Sequence, residues 1–300
     1  MEGYLHPLYS KSFSDIGTPL YLPKSKGWLI KREIPGTEYY DAMGPYPLFF
    51  CENWEYLIED ISSLENDLVA VSFVIGPLQL FSKNIFQEYF EVCYEYRNHY
   101  ILDTTLPFEK VISPGRRKTA QRALNKVEAD YQIAPNICLD DWCHLYDNII
   151  SKYKVSGIRA FSKESFRKQI AIPKTHFFYV MYQSELVGGA LFFLQNDTSY
   201  YHLSALTEKG YDLQAGYAVM WTAINVLSKK IRWIELQGGS SQNGKIIDGL
   251  SEFKIGWANL EKKSFFCGKI INYPVYSEIL KIKKIPITQW FPAYRVGEFS

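Results

Sequence analysis

The sequence has little excess charge and no long uninterrupted apolar run. Its 33 Lys and Arg against 32 Asp and Glu leave a formal net charge of +1. Composition therefore indicates no broad electrostatic attraction to nucleic acid, and only a local basic patch remains as an alternative. The longest apolar stretch, residues 68–81, is interrupted by Ser72, Gly76, Pro77 and Gln79 and is too short to cross a bilayer. We expect no membrane span.

Cysteine is scarce and scattered. The chain has five cysteines and five histidines, and no Cys/His cluster has the close spacing of a zinc site. Residues 1–15 contain no apolar segment of the kind found in signal peptides. We therefore expect reduced cysteines, no metal and a cytoplasmic protein.

Length leaves room for one large domain or two of about 150 residues, and no low-complexity linker divides the 300 residues. Aromatic residues are abundant, with 23 Tyr and 19 Phe. We interpret them mainly as core residues of strands, with a dedicated aromatic cleft as the alternative.

Hydrophobic periodicity is clearest in the second half. It predicts helices at 140–153 and 163–170, then strands at 175–182, 186–194 and 198–206. Short polar turns between these strands predict an antiparallel meander. An apolar helix at 216–229, a strand at 233–236, a helix from about residue 249 and a strand at 264–271 follow.

The first half repeats this order more faintly. Strands are predicted at 28–33, 68–75 and 100–106, and helices at 54–64, 85–97 and 116–128.

The most informative segment is 234–257, where an apolar strand runs into Gly238 and Gly239 and a polar loop. Asp248 is suited to N-cap the helix that starts near Gly249. A strand that ends at glycines and leads into a helix leaves backbone N–H groups unpaired.

The helix after this loop carries Phe253 and Trp257 on one face, with Lys254 beside them. The positive charge of Lys254 and the unpaired N–H groups together suit a ligand atom that is negative or becomes negative. The alternative is a plain strand–loop–helix connection with a solvated lysine.

This segment resembles the Gly-Gly…Asp-Gly-Leu…Phe-Lys segment of the FemABX-like peptidyltransferases, a branch of the GNAT acyltransferase superfamily. Segments 39–47 and 113–123 look like the early aromatic segment and the Arg-rich helix of these proteins, so the resemblance covers most of the chain. The residues that carry the main motif are Gly238, Gly239, Asp248, Gly249, Leu250, Phe253 and Lys254.

The resemblance implies an α/β (α+β) fold of two tandem GNAT-like units, each a mixed, mostly antiparallel sheet flanked by helices. The units would be 1–135, degenerate and joined by 276–300, and 136–275, which holds the motif. In this fold the third meander strand and the strand after the central helix splay apart, and the acyl donor lies in the gap.

The activity implied is amide-bond formation without a bound cofactor and without a known side-chain base. Lys254 would hold the donor and its developing negative charge, and Phe253 would wall the site. Gly238 and Gly239 would let the donor approach the backbone, and Gln237 and Asp248 would also contact donor or acceptor.

The donor implied is aminoacyl-tRNA or acyl-CoA. In the loop that would bind the coenzyme A pyrophosphate, only Gln214, Gly216 and Ala218 match the usual spacing, and Asp212 adds an unfavourable charge. We therefore favour aminoacyl-tRNA. The acceptor would be an amine of a cell-envelope precursor, a sugar or a peptide natural product.

Further candidates lie outside the motif. Arg116 and Arg117 open a basic helix, continued by other cations, that could grip phosphates of tRNA or of a nucleotide-linked acceptor, or could be a solvated face. For His202, near the cleft, a packed role competes with a general base. An inactive double-GNAT binding or scaffold protein is the alternative to an enzyme. The other candidates are Arg159, for the acceptor, and Tyr40 and Tyr46, in the aromatic segment.

Overall fold

Strands and helices follow one another along the chain largely in the predicted order. The structure is a computed structural model that describes residues 1–64, 68–155, 157–239, 241–242, 245–246 and 249–298. The strands are β1 (Thr18–Leu22), β2 (Gly27–Glu33), β3 (Tyr40–Met43), β4 (Leu68–Ile75), β5 (Val92–Asp103), β6 (Glu128–Ile133), β7 (His176–Tyr182), β8 (Glu185–Gln195), β9 (Thr198–Leu206), β10 (Trp233–Gly238), β11 (Ser241–Gln242), β12 (Lys245–Ile246) and β13 (Leu260–Ile270).

The helices alternate with these strands. They are α1 (Pro7–Lys11), α2 (Leu57–Ser62), α3 (Lys83–Tyr89), α4 (Phe108–Val111), α5 (Pro114–Leu124), α6 (Leu139–Tyr153), α7 (Lys163–Ile170), α8 (Glu208–Asp212), α9 (Ala215–Leu227), α10 (Gly249–Ile255) and α11 (Tyr273–Ile282). Short 3₁₀ helices occur at Gly3–Leu5, Trp54–Tyr56, Gly157–Arg159 and Ala293–Arg295. Among the described residues, no helix is both long and apolar enough to cross a membrane.

Contacts divide the chain into two units. One, called here the Lys254 unit, contains Met1–Gly3, Arg97–Ser156 and Ser162–Lys262. The second unit contains Tyr4–Tyr96, Gly157–Phe161 and Lys263–Ser300. These bounds differ from the predicted boundary at residue 135. The physical reason is that α5 packs against α9 and β6 pairs with β7, which places residues 114–133 with the second half of the chain.

The sheets are mixed, and most of their strand pairs are antiparallel. In the Lys254 unit the strand order is β5-β10-β9-β8-β7-β6, and only β9 and β10 run parallel. In the second unit the order is β1-β2-β3-β4-β13, with β3 and β4 parallel. The predicted α/β class, with mixed, mostly antiparallel sheets flanked by helices, is confirmed.

The meander of β7, β8 and β9 is also confirmed, and its turns have a local cause. Gln183 and Ser184, between β7 and β8, have φ of 50° and 65°. Two successive residues with positive φ form the tight turn whose twist matches antiparallel strands. Strand β8 is buried along almost its whole length, because α9 and α6 both pack against it.

Two sequence predictions in the first half are wrong. The predicted helix at 85–97 ends at Tyr89, and β5 begins at Val92. The residues from Val92 to Tyr96 include β-branched and aromatic side chains, which favour a strand. The predicted helix at 116–128 ends at Leu124 and is followed by β6, which pairs with β7. Here strand pairing outweighs a helical pattern.

Candidate functional site

The carboxyl ends of β9 and β10 part from one another in the Lys254 unit. The parallel pairing covers only three residue pairs, and it ends at Glu235 opposite Tyr200. Beyond this point β9 continues to Leu206 and β10 to Gly238. The strands therefore separate where the resemblance predicts a gap for the acyl donor.

A β-bulge shapes the end of β10. Its register against β5 shifts between Glu235 and Gly238, and Gln237 adopts a φ of 65°. Its backbone N–H donates to Glu235 Oε1 at 2.8 Å, and its side-chain Nε2 donates to His202 O at 3.3 Å. Bulges re-aim side chains next to functional sites. Here the bulge turns the amide of Gln237 across the parted strands.

Lys254 lies in the last turn of α10 and reaches back to this strand end. Its side chain is 5 % exposed, and Nζ donates to Gly238 O at 2.9 Å. Burial strengthens any electrostatic interaction that the charge makes. The arrangement holds one positive charge at the carboxyl end of β10.

The two glycines of the motif have different surroundings. A Cβ on Gly239 would collide with Ser251 Oγ and lie 2.9 Å from Tyr100 Cε2. Gly239 therefore lets α10 approach the strand end, which differs from the predicted approach of a donor. A Cβ on Gly238 would lie 3.3 Å from His99 Nε2, so this glycine leaves space beside the imidazole.

Aromatic rings cover the other face of α10. Phe253 packs edge-on against Tyr217 of α9, with ring centroids 5.3 Å apart, and lies 6.0 Å from Trp257. Trp257 is fully buried. Phe253 is partly buried against the same core cluster, which fits its predicted position as a wall of the site.

The two predicted phosphate-binding arginines hold carbonyl groups of their own chain. Arg116 donates to Glu252 O at 2.8 Å and to Tyr217 Oη at 3.0 Å, and Arg117 donates to Ile112 O at 3.2 Å. Glu252 O lies near the carboxyl end of α10 and also accepts the backbone N–H of Gly256 at 3.2 Å. Arg116 therefore adds a second hydrogen bond at the end of the helix that carries Lys254.

The outer face of α5 is different. Two of its cations and a third one just beyond the helix end, spaced four residues apart, form a row called here the basic stripe. Each is exposed, and among the described residues none of these side chains has a hydrogen bond or an ion pair. Ala120 and Ala123 face the opposite way, into the core. The predicted positive face is thus present, and it is made of Lys118, Arg122 and Lys126.

His202 is packed and hydrogen-bonded. Its ring stacks on Phe193 with centroids 4.4 Å apart, and Nε2 lies 3.2 Å from Gln169 Oε1. Burial lowers the pKa of His202 to about 3, so the ring is neutral at neutral pH. These contacts favour the packed role over the general-base role.

The start of α9 would be the pyrophosphate site of a coenzyme A enzyme. Its N-cap, Gln214, has a φ of 58° and makes no side-chain capping hydrogen bond. A Cβ on Gly216 would lie 3.4 Å from Leu206 and 3.9 Å from Phe253, which is ordinary contact. Side chains therefore already occupy the space beside this glycine.

The remaining predicted site residues lie elsewhere. Tyr40, Tyr46 and Arg159 belong to the second unit. Tyr40 begins β3 under the ammonium of Lys31, and the Tyr46 carbonyl accepts a hydrogen bond from Tyr9 Oη. Asp248 lies outside the described residues.

One pair of side chains was missed by the sequence interpretation. His99 Nδ1 lies 2.7 Å from Glu235 Oε1, and both residues are buried. The sequence offered one sign of this pair, which is the carboxylate of Glu235 inside the apolar strand that leads to Gly238 and Gly239. Its partner is 136 residues away in the chain, so no local pattern could have identified it.

Sequence comparison finds no relatives: no family model matches the chain, and no curated protein matches it. Solved structures do match. FemX superposes with a TM-score of 0.65 over 91 % of this chain and 93 % of its own, at 11 % identity. The chain has a Fem-like, GNAT-type fold.

The Fem-like fold extends over nearly the whole chain in two further comparisons. The C-terminal domain of a putative lysylphosphatidylglycerol synthetase from Agrobacterium fabrum gives a TM-score of 0.61 at 9 % identity, covering 95 % of this chain and 92 % of its own. L-PGS from Bacillus licheniformis gives 0.60 at 11 % identity, covering 93 % and 96 %.

Proposed function

We propose that this protein is an N-acyltransferase that forms an amide bond between an aminoacyl group and an amine acceptor. The observation that carries the proposal is the buried ammonium of Lys254, held 2.9 Å from Gly238 O at the end of β10. It lies on the helix that follows the parted strands of a Fem-like fold. One of the similar structures is named as the C-terminal domain of a putative lysylphosphatidylglycerol synthetase.

The chemistry asks for stabilisation of negative charge. When an amine attacks the carbonyl carbon of an activated acyl group, the carbonyl oxygen becomes an oxyanion. A preorganised donor in a site with little water stabilises that charge more than it stabilises the neutral substrate. The charge of Lys254 is held in place by α10 and by Gly238 O, at the strand end where the donor would lie.

We infer that the donor is aminoacyl-tRNA. Two features support this choice. The basic stripe is exposed and, in the described part of the chain, unpaired, as a phosphate-binding surface requires. The loop before α9 matches a coenzyme A site only at Gln214, Gly216 and Ala218, and Asp212 places an unfavourable charge next to the pyrophosphate position. We assign phosphate binding to the stripe rather than to Arg116 and Arg117.

Acyl-CoA is the second candidate, and one observation favours it. The N-cap residue of α9, Gln214, provides no side-chain hydrogen bond to the first turn. Free N–H groups at the start of a helix attract phosphate. A bulky replacement of Gly216 would then block donor binding, while it would leave tRNA-dependent transfer intact.

The test compares donors directly. The protein is incubated with a mixture of charged tRNAs or with acetyl-CoA, each with hydroxylamine as a surrogate amine, and hydroxamate formation is measured. We expect turnover of charged tRNA. The Lys254→Met variant should lose about two to three decades in rate, which corresponds to about 3–4 kcal/mol.

A matched control is Lys262→Met, which removes an exposed lysine of the same unit. It should turn over like the wild type, and circular dichroism should show all three proteins folded. Wild-type turnover by Lys254→Met would rule out the proposed role of the lysine. Turnover of acetyl-CoA alone would select the second candidate, and turnover of neither donor would favour a binding or scaffold protein.

A further inference from the structure

A buried histidine–glutamate pair lies beside the carbonyl that Lys254 holds. His99, on β5, is 4 % exposed, and Glu235, on β10, is fully buried. Nδ1 of the imidazole and Oε1 of the carboxylate are 2.7 Å apart. Both residues belong to the Lys254 unit. The donor site of the proposed function does not use either of them.

The backbone fixes both partners. His99 stands opposite Gly238 in the β5–β10 register, on the far side of the bulge from Glu235. Oε1 of Glu235 also accepts the backbone N–H of Gln237 at 2.8 Å. One carboxylate oxygen therefore holds the bulge and the imidazole together, and neither group needs to reorganise during a reaction.

This geometry selects the tautomer of a neutral imidazole. An ionised carboxylate accepts hydrogen bonds and donates none, so the proton of the ring lies on Nδ1. Nε2 then carries a free lone pair. A side chain at position 238 would begin only 3.3 Å from Nε2. Glycine at this position therefore leaves no side chain against Nε2.

The role of Glu235 in supporting the bulge does not by itself explain why a histidine is paired with it. Among the described residues, Oε2 of Glu235 is buried and has no hydrogen-bond partner. A buried carboxylate with an unpartnered oxygen is costly. The other charged side chains next to Gly238 are Lys254 and Arg97.

We propose that His99, oriented by Glu235, is the general base that deprotonates the amine acceptor; this rests on the proposed function. The acceptor ammonium gives one proton to Nε2 and becomes a neutral amine. Its nitrogen attacks the donor carbonyl carbon, a C–N bond forms and the ester C–O bond to the tRNA ribose breaks. The second proton of that nitrogen goes to the leaving oxygen, and His99 returns its proton to solvent.

The kinetic test uses two acceptors that differ in charge. Hydroxylamine is largely neutral at neutral pH, whereas methylamine is protonated. His99→Gln keeps a hydrogen-bond donor for Glu235 but cannot act as a base. With charged tRNA as donor, we expect its rate to fall at least about 100-fold with methylamine and only a few-fold with hydroxylamine.

An equal loss with both acceptors would indicate a structural role and overturn the proposal. The control is His176→Gln, another buried histidine of the same unit, which should leave the ratio of the two rates unchanged. This split is informative even if both variants are less stable, because lost folding reduces both rates alike.

A second measurement does not depend on turnover. Nitrogen NMR of protein labelled with ¹⁵N-histidine, assigned with His99→Gln, reports which ring nitrogen carries the proton. We expect a protonated Nδ1 and a bare Nε2 at neutral pH. A bare Nδ1 would overturn the assignment of His99 whatever the rates. Absence of turnover with every donor would instead refute the proposed function, and with it the base role.

Discussion

Removal of the basic stripe tests the choice of donor most directly. Replacing Lys118, Arg122 and Lys126 with Gln deletes three exposed charges that make no contact within the described part of the chain. The fold should therefore be unaffected. If the stripe binds tRNA, each lost phosphate contact should reduce the slope of log affinity against log salt concentration by about 0.7–0.9.

The expected change in slope follows from the loss of three phosphate contacts. The slope should flatten by about 2.1–2.7, so a fourfold rise in salt should weaken the wild type about 20- to 40-fold more than the variant. Filter binding of charged tRNA at salt concentrations from about 50 to about 200 mM gives the slope for each protein.

The control variant removes the same charge elsewhere. Lys11, Lys281 and Lys284 are exposed residues of the second unit, and their replacement with Gln should leave the slope nearly unchanged. Parallel slopes for the stripe variant and the wild type would refute the assignment of phosphate binding to α5. Equal flattening in the control would show that only net charge matters.

Two further predictions concern stability. Gly239→Ala places a methyl group against Ser251 and Tyr100, so thermal or urea unfolding should show a loss of about 1–3 kcal/mol; Gly249→Ala, with open space around it, is the control, and an equal effect would contradict the packing argument. The pKa of His202 is depressed to about 3 by burial, so the unfolded chain takes up a proton first as pH falls below about 6.5. His202 should therefore contribute a fall in stability of about 1.4 kcal/mol per pH unit below that value. Burial also lowers the pKa of His176 and His6, so His202→Asn should reduce rather than remove the loss of stability between pH 7 and pH 5 in urea titrations; an unchanged pH dependence would count against a neutral buried ring.

Sequence patterns predicted the elements around the site better than its contacts. The meander, α9 and β10 appear where periodicity places them, because buried strands and helices keep their apolar pattern in any tertiary context. The first part of β5, residues 92–97, was mistaken for a helix, because a short segment of mixed polarity carries no decisive period, whereas the predicted strand at 100–106 overlaps its second part. Its pairing partner, β10, lies more than 100 residues further along the chain.

The same distinction holds for the individual side chains of the site: those in a local motif were predicted, and those defined by long-range contacts were not. Lys254 and Phe253 could be predicted as site residues because their motif is local, and their roles stay predictions. Arg116 was interpreted as a phosphate ligand, since nothing in the sequence indicates that Glu252 O and Tyr217 lie within its reach. His99 was passed over because its meaning depends on Glu235, which only the bulge brings to it. Tertiary structure brings such distant polar groups together, so no spacing within the sequence indicates that they form a pair.

The contacts of Arg116 give α5 a mechanical role. The inner face of this helix is tied through one guanidinium to the last turn of α10, and its outer face carries the basic stripe. Arg116 reaches α10 through its hydrogen bond to Glu252 O, and it reaches Tyr217 of α9 through a second hydrogen bond and a ring contact. We therefore expect a shift of α5 to be felt at the backbone two residues before Lys254 as well as at α9. The substitution Arg116→Lys would weaken this three-helix junction while leaving the basic stripe unchanged.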